Sequence, residues 1–292
     1  MRIAFAGLGV MGAPMARHLI AASHEVAGYN RSPDKARAWA EAHGGRFAAT
    51  VAEAAQGAEL FVLCVGNDDD VRQVVSEALP HLAKGAVIVD HTTTSARIAR
   101  EMAEAAAARG VDFIDAPVSG GQAGAETGQL SVMAGGDADA LSRVEPVLRA
   151  YAKAVQHMGP AGAGQLTKMV NQICIAGVVQ GLAEAVHFAQ QAGLDTDAVY
   201  QAVSKGAAQS WQMDNRWKTM AEGRFDFGFA VDWMRKDLGL VLDEARTNGS
   251  HLAVTALVDQ FYSEVQSLGG SRWDTSSLAA RLQDRSRCPS GD

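Results

Sequence analysis

Cysteine, net positive charge and long unbroken apolar runs are all scarce in this chain of 292 residues, and each shortage excludes a class of protein. The three cysteines, Cys64, Cys174 and Cys288, lie far apart and show no metal-ligand spacing, so no metal site is expected and the thiols read as reduced, in a cytoplasmic protein. Lysine and arginine number 26 against 33 acidic residues, a net charge of −7 that offers no basic surface to nucleic acid or to an acidic membrane. The longest candidate for a membrane span, residues 169–189, is interrupted by Asn171, Gln172, Gln180, Glu184 and His187. A signal peptide after Arg2 is equally poor, because Gly7, Gly9, Gly12, Pro14, Arg17 and His18 break the apolar stretch. No internal repeat is visible. What remains is a globular composition, 48% hydrophobic and 20% charged, long enough for two domains with sizeable cores and suited to a small soluble substrate.

Against this background the N-terminal stretch stands out. Ile3-Ala4-Phe5-Ala6 enters Gly7-Leu8-Gly9-Val10-Met11-Gly12 and then a helical pattern over 13–22, which reads as strand, glycine turn and helix. In a dinucleotide fold Gly7 allows the tight turn, Gly9 lets the backbone approach the pyrophosphate, and Gly12 permits close packing of helix on strand. The free amides at the helix start would face the phosphates. Pro14 is tolerated in the first turn, where its missing amide has no intrahelical partner. A glycine triplet alone also fits a ligand-free βα turn, but here a second strand, 25–29, follows it. NAD sites place Asp or Glu at the end of that strand, about twenty residues beyond the glycines, to bind the ribose 2′-hydroxyl. This chain has Asn30-Arg31-Ser32. A carboxylate would repel a 2′-phosphate, whereas a guanidinium with two small hydrogen-bonding neighbours holds it, so NADP is expected, with NAD the weaker alternative.

Helix and strand then alternate: helix 34–42, a short element near 46–48, buried strand 60–65, helix 71–79, strand 86–89, helix 96–109 and strand 111–114. In a doubly wound sheet the carboxyl ends of these strands border the cofactor crevice. That places Val65 and Asn67 beside the nicotinamide half, and the loop Asp90-His91-Thr92-Thr93-Thr94 near the ribose or nicotinamide. Thr94 or Ser95 is equally suited to capping the next helix. The two glycines of Asp115-Ala116-Pro117-Val118-Ser119-Gly120-Gly121 let consecutive amides converge on an anion, with the Ser119 hydroxyl as an added donor; a substrate carboxylate suits them. Strand 130–134, helix 137–149 and strand 154–157 follow before the glycine-rich punctuation of 159–164. The expected architecture is an α/β Rossmann dinucleotide-binding domain, 1–161, followed by an all-α domain, 162–283, built on one long interdomain helix, and a disordered polar tail, 284–292.

The long helix, 165–192, contains no proline and spans roughly 40 Å at about 1.5 Å per residue. Further helices are expected at 196–203, 213–220, 233–247, 252–267 and 276–282. Gln165, Lys168, Asn171 and Gln172 fall at the start of the long helix with spacings that put them on one face. Met169, Val170, Ile173, Cys174 and Ile175 around them read as buried, and the helix dipole disfavours a cation there. A lysine snorkelling from a core helix to solvent would account for Lys168 in isolation. Beside a dinucleotide fold the better reading is a lysine of lowered pKa that exchanges a proton with a reacting C–OH, because hydride transfer needs a proton donor and acceptor at that oxygen.

Four stretches in order make the chain resemble the β-hydroxyacid dehydrogenase family, whose branches include 3-hydroxyisobutyrate dehydrogenase, tartronate semialdehyde reductase and the glyoxylate and succinic semialdehyde reductases. They are Gly7-Leu8-Gly9-Val10-Met11-Gly12-Ala13-Pro14-Met15-Ala16, the loop 115–121, Gly162-Ala163-Gly164-Gln165 with Lys168 and Asn171, and Lys236-Asp237-Leu238. The resemblance runs from Ile3 to about Leu282. It implies Lys168 as the catalytic residue, assisted by Asn171, and Ser119, Gly120 and Gly121 as the site of the substrate anion. It implies the 7–12 turn, Thr93 and Lys236 at the cofactor, with Gln172, Trp211, Phe229 and Asp237 lining the substrate side. It further implies a homodimer or homotetramer with contacts through the long helix.

Departures mark the branch. Gln172 replaces a second asparagine, as in tartronate semialdehyde reductases, and His91-Thr92-Thr93 replaces a Met-Ser-Thr-like loop. Ser210-Trp211 and residues 234–240 are closer to the hydroxyisobutyrate and serine dehydrogenase branch, so both branches stay open. The function implied is NADP-dependent interconversion of a short β-hydroxy acid, of 3-hydroxyisobutyrate or tartronate type, and its semialdehyde. An imine reductase often lacks the lysine, and a 6-phosphogluconate dehydrogenase-like decarboxylating enzyme has a larger helical domain. A non-catalytic NADP sensor or partner module would keep the glycines and Arg31 without needing Ser119, Lys168 and Asn171 together.

Overall fold

The computed structural model describes residues 1–285, and by internal contacts it forms two compact units, Met1–Lys168 and the chain from Met169 onward. In the first, strand and helix alternate: β1 (Arg2–Ala6), α1 (Gly12–Ala21), β2 (Glu25–Tyr29), α2 (Pro33–His43), β3 (Arg46–Phe47), α3 (Val51–Ala55), β4 (Leu60–Leu63), α4 (Asp68–Ala78), β5 (Val87–Asp90), α5 (Ala96–Ala107), β6 (Asp112–Asp115), β7 (Val118–Ser119), α6 (Gly121–Thr127), β8 (Leu130–Gly135), α7 (Ala138–Leu148) and β9 (Ala152–Gly159). The first six strands pair in parallel in the order β3-β2-β1-β4-β5-β6. β8 joins antiparallel to β6 and β7, and β9 runs parallel to β8.

Alternation along the strands builds two cores, because successive side chains point to opposite faces of a sheet. Ile3 and Phe5 of β1, Leu60 and Val62 of β4, and Val87 and Val89 of β5 pack with Met15, Leu19 and Tyr151 on one face. Ala4, Ala6, Phe61, Leu63 and Ile88 pack with Val71, Val75, Ile98 and Met102 on the other. Helices thus cover both faces, which is why β4 and β5 read as continuous apolar runs.

Three short elements, α3, β7 and α6, have no counterpart in the sequence pattern. α3 is too short to show a helical period and stands on its cap: the Thr50 hydroxyl accepts from Glu53 N, and the Glu53 carboxylate reaches back to Ala49 N. β7 forms within the loop 115–121, where β8 supplies a partner strand that local spacing does not reveal, and α6 begins at the last residue of that loop.

α8 (Ala163–Gln191) leaves the first unit and runs into the second, joined there by α9 (Thr196–Val203), α10 (Trp211–Ala221), α11 (Val231–Asn248), α12 (Ala253–Ser267) and α13 (Leu278–Arg285). The core of the second unit gathers Val179, Leu182 and Val186 of α8 with Met213, Trp217, Val231, Met234, Leu238, Val258, Tyr262 and Leu278. By length and composition alone α8 could cross a membrane, a test that core helices also pass; 44% of its most apolar window is buried within the protein. Of the expected tail, 284 and 285 end α13; the rest, with Cys288, lies outside the described residues.

Candidate active site

The strand order reverses between β1 and β4, and the carboxyl ends of all six parallel strands share one edge of the sheet. A doubly wound sheet binds ligands in the crevice at such a point. The glycine turn sits there. A side-chain carbon on Gly7 would lie 2.2 Å from the Cys64 carbonyl, and one on Gly12 only 1.9 Å from the Gly7 carbonyl and 3.0 Å from the Phe5 ring, so both positions demand glycine for close packing. A carbon on Gly9 would meet nothing within 4 Å. The turn is therefore tight where it touches protein and open where a pyrophosphate would approach, and the residues present fit a dinucleotide. Leu8 is buried; Val10 is exposed; Met11 stands at the start of α1.

Asn30 braces this turn. Its Oδ1 accepts from Leu8 N at 3.0 Å while its Nδ2 donates to the Ser32 carbonyl, so both ends of the amide are engaged with backbone. Arg31 extends into solvent and pairs with Asp70 Oδ1 at 3.2 Å, and Ser32 precedes Pro33 at the start of α2. On the next loop Asn67 caps α4 through Asp70 N, and Val65 N donates to the Thr92 hydroxyl at 3.0 Å. Thr93 is half-buried; Ser95, not Thr94, caps α5.

At the end of β6, Asp115 is fully buried and its carboxylate accepts from Gly162 N at 2.7 Å and Gln165 N at 2.9 Å. Burial pushes its pKa up to about 6, against the opposing pull of these backbone donors. Gly164 packs where a side-chain carbon would lie 2.3 Å from the Met133 carbonyl. The start of α8 is thus fastened to the sheet, and Lys168, 8% exposed, follows one turn later. Ser119 ends β7; Gly120 and Gly121 both have positive φ, 132° and 59°, which explains the glycine pair, and a carbon on Gly121 would meet nothing within 4 Å.

In the second unit Asn171 Nδ2 donates to Gln172 Oε1 at 2.8 Å, and Gln172 Nε2 donates to Asp237 Oδ2 at 2.7 Å. The Lys236 ammonium is 3.2 Å from Asp237 Oδ1. Gln172 and Asp237 are buried, 2% and 3% exposed, so their polar groups are directed at one another and at Asn171. Trp211, 56% exposed, lies against the Arg216 guanidinium, and Phe229 is held by its amide donating to Asp274 Oδ2.

Several participants carry no signal in sequence spacing. His91 and Tyr151 are buried partners sixty residues apart, and Asp274, 1% exposed, gathers Arg216, Phe229 N and Ser276 N. Only the position of His91 at the end of a buried strand hints at such a role. No group of three or more His, Cys, Asp or Glu able to hold a metal exists among the described residues. A cleft lined by Arg2, Glu59, Lys84 and Arg143 lies at the opposite edge of the sheet, away from the strand ends described above.

Residues 2–159 match the NAD binding domain of 6-phosphogluconate dehydrogenase, and 162–282 match the NAD-binding domain of NADP-dependent 3-hydroxyisobutyrate dehydrogenase. An uncharacterized oxidoreductase of Shewanella frigidimarina is 61% identical over 97% of this chain and 98% of its own. The solved 3-hydroxyisobutyrate dehydrogenase of Mycobacterium tuberculosis, with L-serine, is 31% identical, covers 96% of this chain and 98% of its own, and superposes with a TM-score of 0.89. Psf3, solved in complex with NADP+, is 25% identical over 96% of this chain and 99% of its own, with a TM-score of 0.86. The chain accordingly belongs to the β-hydroxyacid dehydrogenase family, dehydrogenases that act on hydroxyl groups through a nicotinamide dinucleotide.

Proposed function

We propose that the protein interconverts a short β-hydroxy acid, of 3-hydroxyisobutyrate or tartronate type, and its semialdehyde, with NADP as the preferred cofactor. The observation that carries the reading is Lys168: a cation 8% exposed, near the start of a helix whose dipole disfavours it, on a segment fastened to the loops that end the sheet. The bound nicotinamide supplies or takes the hydride. Lys168 donates a proton to the oxygen during reduction and accepts it during oxidation, while its charge stabilises the developing alkoxide. Asn171, one turn along α8, orients the reacting group, and its own amide is set by Gln172 and Asp237. Ser119 with the Gly120 and Gly121 amides takes the substrate carboxylate; Trp211 and Phe229 contact the rest of the substrate. Support for NADP comes from Arg31 at the end of β2 without an acidic ribose ligand, and from the relative solved with NADP+. We place the protein in the cytoplasm as a homodimer or homotetramer, with no nucleic-acid or membrane partner.

A panel of C3 and C4 semialdehydes with NADPH, followed by absorbance of the reduced cofactor, tests this directly. Turnover of at least one acid-bearing semialdehyde is expected. Turnover only of imines, or of no compound despite tight NADPH binding, would reject it in favour of an imine reductase or a non-catalytic sensor.

A further inference from the structure

The side chain of Gln165 is fully buried and engaged at both ends. Its Oε1 accepts from Thr94 N at 3.0 Å and its Nε2 donates to the Thr92 carbonyl at 2.7 Å, across seventy-one and seventy-three residues of chain. Its own amide is held by Asp115 Oδ2. One residue thus joins three pieces: the loop that ends β5 and carries Thr93, the carboxylate that ends β6, and the helical turn that presents Lys168 three positions later. The Thr92 hydroxyl extends the connection to β4 by accepting from Val65 N.

We propose that Gln165 is a positioning residue that fixes the height and rotation of Lys168 relative to the Thr92–Thr94 loop, so that proton transfer and hydride transfer occur in register. The inference rests on the catalytic reading of Lys168 given above. Two features of the geometry require an amide. The loop offers one backbone donor and one backbone acceptor, and only a side chain with an acceptor and a donor on one planar group satisfies both from the same rotamer. The connection is also buried, so losing it leaves Thr94 N and the Thr92 carbonyl without solvent to replace the lost partner. A misplacement of about 1 Å in such an assembly lowers turnover by up to about a hundredfold.

The test uses Gln165→Ala and Gln165→Glu in the full chain. For Gln165→Ala, kcat should fall roughly 10- to 100-fold while the KM of the semialdehyde and the NADPH dissociation constant, read by fluorescence titration, move less than about threefold. Amide exchange of Thr94 in the cofactor-free protein should quicken by about tenfold or more, since its acceptor is gone. Gln165→Glu supplies a second reading. Once protonated, the acid carries one donor and one acceptor in the amide's place; once ionised, it faces the Thr92 carbonyl with an acceptor. Its kcat relative to wild type should therefore recover as pH is lowered from about 8 to about 5.5, because burial raises the carboxyl pKa. If Gln165→Ala does not fold, this acid rescue decides alone. Unchanged kcat in folded Gln165→Ala, a parallel loss of kcat and NADPH affinity, or no acid recovery in Gln165→Glu overturns the proposal. Full activity in Lys168→Ala would instead remove the reading on which it rests.

Discussion

His91 Nδ1 donates to the Ala116 carbonyl at 2.6 Å, and His91 Nε2 lies 2.8 Å from the Tyr151 hydroxyl; burial keeps the imidazole neutral, so Nε2 accepts from that hydroxyl. The pair ties the loop after β5 to the loop after β6 inside the core. Tyr151→Phe keeps the ring and removes the hydroxyl that donates to Nε2, leaving that buried acceptor without this partner. Urea unfolding should show a loss of about 1–3 kcal/mol. A change below about 0.5 kcal/mol would mean that the hydroxyl contributes nothing to the brace.

Two buried groups at these loops oppose each other in acid. Burial lowers the His91 pKa to about 4 from 6.5, so the unfolded chain binds its proton more readily, and stability is lost as pH falls from about 6.5 through 4. Burial raises the Asp115 pKa to about 6 from 3.8, so the folded state holds that proton more tightly, and stability is gained as pH falls from about 6 towards 3.8. Each effect amounts to roughly 3 kcal/mol at 1.36 kcal/mol per pKa unit. Asp115→Asn removes the compensating gain, so its stability should decline more steeply than wild type between about pH 6.5 and pH 4. Parallel pH profiles for the two proteins would contradict the assignment.

Lys168→Ala removes the proposed acid and base. Turnover should fall roughly 10²–10⁴-fold, with folding and NADPH affinity nearly intact. Activity within a few-fold of wild type in a folded, NADPH-binding variant would make the lysine structural.

Arg31 holds an exposed guanidinium 3.2 Å from Asp70. Arg31→Ala should weaken NADP by about 1–3 kcal/mol, the range for hydrogen bonds to a charged group, with little effect on NAD. Equal specificity constants for NADPH and NADH in the native protein would defeat the preference.

Along α8, Val170, Cys174, Val178 and Phe188 are exposed at helical spacing, Phe188 at 71%. An exposed apolar stripe of this kind suits the contact between copies of the chain proposed above. Light scattering at micromolar concentration should give at least a dimer, and Val178→Glu with Phe188→Glu should dissociate it. A monomeric native protein would remove the expectation.

The dinucleotide turn was legible because its pattern is local: strand, glycines and helix are neighbours in the chain, and Gly12 packs on Gly7 and Phe5 just before it, although the close approach that demands glycine at position 7 comes from the distant Cys64 carbonyl. The long helix was legible for the same reason, from an unbroken stretch without proline. Asn30 shows the limit. Its place at the end of β2 carries no sign that its amide braces the glycine turn, accepting from Leu8 N twenty-two residues away and donating to the Ser32 carbonyl.

Composition, periodicity and the glycine motif determined the alternation of strand and helix, the all-helical second half and the glycine turn of a dinucleotide-binding domain, since each follows from preferences expressed within a few positions of the chain. The tertiary structure alone decided which polar groups face one another. Asp115 is a buried cap of α8, Gln165 joins that helix to the Thr92–Thr94 loop, and Gln172 links Asn171 to Asp237. Those pairings depend on strand order and on desolvation, and a buried polar group takes whichever partner the packing brings within reach.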